Sequence, residues 1–91
     1  MKINEFVRRT LLLQLESAYP VSLPIETLKQ GVFLHGLPAN RRLLEKELAY
    51  LQDKGFVLRL SNDICPQAYR YKISAQGIDF LENEKRNPSR I

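Results

Sequence analysis

Apolar side chains recur at helical spacing almost from the first residue. Ile3, Phe6, Val7, Leu11, Leu12, Leu13 and Leu15 wrap well over half the circumference of a helix drawn over residues 3–18, leaving Arg8, Arg9 and Glu16 outside. A stripe that broad implies burial on two sides. Either the helix crosses the middle of the domain or its second face meets another subunit. Tyr19-Pro20-Val21-Ser22-Leu23-Pro24 stops it, because each proline lacks a backbone donor and pushes its predecessor towards extended geometry. Val21-Ser22 leaves room for one short strand. Pro24 suits the first turn of a second helix, whose stripe is Ile25, Leu28 and Val32 and whose end falls near Leu34.

His35-Gly36-Leu37-Pro38 reads as a compact turn, with Gly36 free to take positive φ and Pro38 opening a third helix. That helix aligns Leu44, Leu48 and Leu51 and runs to about Asp53, with Gly55 as a left-handed cap. The period then changes from helical to two. In Phe56-Val57-Leu58-Arg59-Leu60 and Tyr69-Arg70-Tyr71-Lys72-Ile73 the alternation predicts a hairpin. Phe56, Leu58, Leu60, Tyr69, Tyr71 and Ile73 are expected inside, and Arg59, Arg70 and Lys72 outside. Residues 61–68, with Asn62-Asp63 and Pro66, form its tip. Ser74 caps a last helix carrying Ile78, Phe80 and Leu81, before a polar tail.

Three helices, the last two joined by a tight turn, followed by a two-stranded hairpin and a C-terminal helix, is the order of a winged helix-turn-helix. The expected class is α+β, mainly helical, with one domain over 1–83 and a polar, basic tail over 84–91. A small helical domain with an incidental hairpin is the plainer alternative.

Composition narrows the partners. Fourteen Lys and Arg against ten Asp and Glu leave a net charge of +4, which favours a polyanionic partner. Between Arg41 and Lys72 there are seven basic residues against four acidic, so that stretch alone carries +3 of the +4. Cys65 is the single cysteine and His35 the single histidine, so neither a disulfide nor a zinc site of ordinary ligand count is expected. His35 reads as a helix-end hydrogen-bonding residue, and Cys65 as a loop thiol with no activating charge beside it. The longest unbroken apolar run among the first residues, Leu11-Leu12-Leu13, falls far short of a signal or membrane segment. A cytoplasmic, cofactor-free protein with no membrane partner is expected. No phosphate-cradling glycine loop, nucleophile elbow or paired-acid motif is present, so an enzyme is not expected.

The segments Leu48-Ala49-Tyr50-Leu51-Gln52-Asp53-Lys54-Gly55-Phe56-Val57 and Tyr71-Lys72-Ile73-Ser74-Ala75-Gln76-Gly77-Ile78-Asp79-Phe80-Leu81 resemble the recognition-helix exit and post-wing segment of winged-helix regulators such as the MarR, PadR and ArsR groups. Asn4-Glu5-Phe6-Val7-Arg8-Arg9-Thr10-Leu11-Leu12, Glu47-Leu48-Ala49-Tyr50-Leu51, Gly55-Phe56-Val57 and Gly77-Ile78-Asp79 together resemble the small winged-helix proteins of Mu-like bacteriophages and prophages. That likeness implies a fold and a phage or prophage origin rather than an activity. The loop 61–68 is longer than in that family, so wing contacts do not carry over from it.

A helix that reads a major groove needs its buried stripe on one side and donors on the other. At ~100° per residue, Leu44, Leu48 and Leu51 define one side and Arg42, Lys46, Ala49 and Asp53 the far side, with Arg41, Glu45 and Gln52 on one flank. Arg42 and Lys46, helped by Asn40 and Arg41, are expected to meet double-stranded DNA, while Arg59, Arg70 and Lys72 contact phosphates beside the groove. Against this, Glu45 can pair with Arg41 or Arg42, and Glu47 and Asp53 oppose phosphate, which would make the helix a solvated face. Tyr69 and Tyr71 read as core rather than as a stacking platform for single strands. Tyr50 is open. The leading expectation is a homodimeric DNA-binding transcriptional regulator. The alternatives are a DNA-contacting accessory factor in phage replication or packaging, and a protein–protein interaction module with a phage or host partner.

Overall fold

Each predicted helical stripe contributes buried side chains to one core. The computed structural model describes residues 2–61, 64 and 68–86. They form α1 (Ile3–Ala18), β1 (Leu23–Pro24), α2 (Ile25–Leu34), α3 (Arg41–Asp53), β2 (Val57–Leu60), β3 (Arg70–Ile73) and α4 (Ala75–Arg86), an α+β arrangement that is mainly helical. Asn62, Asp63, Cys65 and Pro66, on which the readings of the hairpin tip and the lone thiol rest, lie outside the described residues.

The core is one cluster. Val7, Leu11, Leu12 and Leu15 of α1 meet Ile25, Leu28 and Val32 of α2, Leu44, Leu48 and Leu51 of α3, and Val57, Tyr71, Ile73 and Leu81. Helix α1 crosses the middle, packing on α2, α3, β3 and α4. Its stripe is nevertheless wider than the core needs, since Ile3, Phe6 and Leu13 stay exposed. Arg8 and Arg9, expected in solvent, instead tie α1 to its neighbours: Arg8 Nε lies 2.5 Å from Glu47 Oε1 of α3, and Arg9 Nη1 2.6 Å from Glu84 Oε1 of α4. These two carboxylates are almost wholly covered. An arginine stem can lie along apolar surface while its head satisfies a buried acid. Because Glu84 is held this way, α4 continues to Arg86, past the point where a tail was expected.

Helix ends differ from expectation by their caps. Pro24 is the N-cap of α2 rather than part of its first turn, and Leu23–Pro24, not Val21-Ser22, forms the short strand. Helix α3 starts at Arg41 instead of Pro38, because the Asn40 side chain accepts the Leu43 N–H at 2.8 Å and fixes the first turn there. Both α2 and α3 end in the same way. Gly36 (φ 74°) and Gly55 (φ 81°) take the left-handed position, Leu37 N–H bonds Val32 O, and Phe56 N–H bonds Leu51 O.

The sheet is antiparallel with order β1-β3-β2. Directly opposed residues share a face, and the pairs are Val57 with Ile73, Leu58 with Lys72, Arg59 with Tyr71 and Leu60 with Arg70. Tyr71 and Ile73 are buried as expected. In β2, however, the expected phase is reversed: Val57 is inside and Arg59 shares its face, while Leu58 and Leu60 are outside. The cause lies at the strand's entry. Phe56 leaves the ladder to stack on Phe80 of α4, with ring centroids 4.7 Å apart, and its carbonyl accepts the Ser74 N–H. Counting therefore begins at Val57, and one step flips every side chain.

Candidate nucleic-acid interface

Helix α3 presents two exposed lines. Ser74 helps set its exit, donating its hydroxyl to Gly55 O at 2.6 Å while accepting the Gly77 N–H at 3.0 Å, so α4 is fastened to the α3 terminus. At the other end the Asn40 cap spends its side-chain oxygen on Leu43, which leaves it a structural part to play in any contact.

The outward line carries Arg42 and Lys46, one turn apart and both exposed. No hydrogen bond or ion pair engages either among the described residues. Asp53 is also exposed, near the far end of the helix. Glu47 does not oppose this line, because it is fully buried against Arg8 on another side of α3. The same arginine settles Tyr50: its guanidinium sits 3.8 Å from the Tyr50 ring centroid, with Lys54 Nζ at 5.7 Å.

The second line faces the hairpin. Arg41, Glu45, Ala49 and Gln52 form one wall of a cleft of about 380 Å³, closed by Ile25 and by Arg59, Tyr69 and Tyr71. Arg41 is held by two carboxylates, Glu45 at 2.9 Å and Glu26 of α2 at 3.1 Å. All three side chains are open to solvent, so these pairs are weak and exchangeable. Arg59 lies over the ring of Tyr69, 4.3 Å from its centroid. Tyr69, expected in the core, is 38% exposed on this side. Burial raises the Tyr71 hydroxyl above its ordinary value of 10.0, with the Arg59 cation pulling the other way.

Neither a family model nor a curated protein matches this chain.

The seven residues singled out from the sequence thus divide. Arg41 and Arg59 line the cleft between α3 and the hairpin, Arg42 and Lys46 lie on the outward line of α3, and Asn40 caps that helix. Arg70 and Lys72 are on the opposite face of the sheet. Arg70 donates to Ser22 Oγ at 3.0 Å and to Ser22 O at 2.7 Å, and Lys72 Nζ stands 5.5 Å from the Tyr19 ring centroid. Tyr69 was missed as a member of the cleft, and Glu26 as a partner of Arg41. For Tyr69 the signal was its two-residue spacing from Tyr71 at the strand's end; for Glu26, on another helix, there was none. Among the described residues no His, Cys, Asp and Glu group fit to hold a metal occurs, and no helix is long and apolar enough to cross a membrane.

Proposed function

We propose that the chain is a winged helix-turn-helix protein that binds duplex DNA, with α3 entering the major groove and the β2–β3 hairpin acting as the wing. The observation that carries this reading is the pair Arg42 and Lys46, exposed and without partners among the described residues, on the outward line of a helix fastened at both ends. A helix seated this way offers donors to base edges and phosphates without first breaking its own bonds. Burial of Glu47 and the engagement of Glu45 with Arg41 remove two of the acids that would repel phosphate. Arg59 adds a cation across the cleft. A transcriptional regulator of phage or prophage origin is the role we assign, and a second copy is part of it: Ile3, Phe6 and Leu13 leave apolar surface on α1, and one such domain makes few contacts alone.

The test is duplex binding followed by fluorescence anisotropy at several salt concentrations. Wild type is expected to bind random duplex at low salt and to lose affinity steeply as salt rises, as phosphate neutralisation requires. The double variant Arg42→Glu/Lys46→Glu is expected to bind at least about tenfold more weakly at low salt. Unchanged binding by that variant sinks the reading, as does absence of binding by wild type.

A further inference from the structure

The reversed phase of β2 leaves a surface that duplex recognition does not use. Leu58 and Leu60 are 48% and 42% exposed on the sheet face that points away from α1 and α3. A sheet face open to solvent ordinarily carries polar side chains, so two leucines side by side on one strand call for a cover. Opposite them stand Lys72 and Arg70. The exposed ring of Tyr19 continues the apolar surface beyond Lys72, whose ammonium lies above it. Arg70 is already fixed by its two bonds to Ser22, so a guanidinium is held in place on this face before anything binds. The strand pairs bring no carboxylate onto it: Leu58, Leu60, Arg70 and Lys72 are the paired residues of β2 and β3 that point this way.

We infer that this outer face docks an acidic, amphipathic segment of a partner protein. The partner's apolar side chains cover Leu58, Leu60 and Tyr19, and its carboxylates meet Arg70 and Lys72. A desolvated centre with charges at its edge is the ordinary layout of such a contact. A second copy of this chain fits less well, because two-fold pairing of one patch sets its cations against the same cations. Duplex DNA fits less well too, since phosphates give nothing to cover leucine. The inference stands apart from the DNA reading, which uses the other side of the sheet.

The experiment selects binders from a displayed library of random peptides on the immobilised full chain, then measures each synthesised binder by anisotropy. Peptides joining Asp or Glu to Leu, Ile or Phe are expected to be enriched. Their affinity is expected to fall at least about tenfold on Leu58→Thr/Leu60→Thr, where threonine preserves strand propensity, and on Arg70→Glu/Lys72→Glu. Arg42→Glu/Lys46→Glu is expected to bind them as wild type does, which separates this outcome from the fate of DNA binding. No enrichment, enrichment of peptides lacking acids, or binders indifferent to both outer-face variants overturns the inference. It is also overturned if Leu58→Thr/Leu60→Thr dissolves a dimer seen in sedimentation, or abolishes binding of wild type to phosphatidylglycerol vesicles. Those results assign the face to a second copy or to a lipid surface.

Discussion

Two faces of one small sheet are built from similar side chains and end in different surroundings. The inner face holds Val57, Arg59, Tyr71 and Ile73, packed towards α1 and α3; the outer face holds Leu58, Leu60, Arg70 and Lys72, with the two leucines 48% and 42% exposed. Each strand alternates cleanly, so each is consistent with either face being inside. The side is decided elsewhere, by a phenylalanine ring that stacks on α4 and by a carbonyl that accepts the Ser74 N–H. Alternation sorts residues into two sets without saying which set is buried. One consequence is that an arginine joins the groove beside α3 while two leucines face solvent.

The sharpest break of this comparison is thermodynamic. Truncating Ile73, which is fully buried, is expected to cost about 2–5 kcal/mol, the lost transfer energy plus a cavity. Leu58→Thr, directly across the ladder from Lys72 but on the outer face, is expected to stay within about 0.5 kcal/mol of wild type. Urea unfolding of both variants checks this. Equal costs would mean that the outer leucines are part of the domain's own core, and both the reversed phase and the docking surface would fall with them.

Duplex binding offers a smaller contrast between the same two faces. Arg59→Ala is expected to weaken binding about tenfold at low salt and to lower the slope against salt by about one unit, as loss of one phosphate contact does. Lys72→Ala is expected to leave both nearly unchanged, because its ammonium lies over Tyr19 on the far side. Anisotropy titrations at several salt concentrations decide it. A Lys72 effect as large as that of Arg59 would show that DNA wraps around the hairpin instead of lying along the cleft.

Much of the fold was legible because its signals are local. Helical stripes located α1, α2 and α3, and Gly36, Gly55 and Ser74 marked turns and caps through their own backbone or hydroxyl chemistry. The candidate site was legible in part for the same reason: the outward line with Arg42 and Lys46 follows from helical geometry alone. What could not be read depends on partners distant in the chain. Glu47 looked like a charge opposing DNA until Arg8, thirty-nine residues earlier, accounted for it. Arg41 looked free of α2 until Glu26 met it. Arg59 and Tyr69 looked like members of opposite faces, because the register that unites them is fixed at Phe56.

The smallest expected effect is a titration, and it probes the pairing of Arg59 with Tyr71 directly. Burial holds the Tyr71 hydroxyl above 10.0, so the folded chain keeps that proton after the unfolded chain has released it. Stability from this proton is fully present below about pH 10 and is lost as pH rises through the higher folded value. Urea midpoints of wild type are therefore expected to fall more between neutral and strongly alkaline pH than those of Tyr71→Phe. The Arg59 cation opposes the shift, because it favours tyrosinate beside it. Arg59→Ala is accordingly expected to move the Tyr71 part of the tyrosinate absorbance, isolated by difference against Tyr71→Phe in each background, to higher pH. If that component does not move, Arg59 does not lie on the inner face with Tyr71, and the division between the two faces fails at its most specific point.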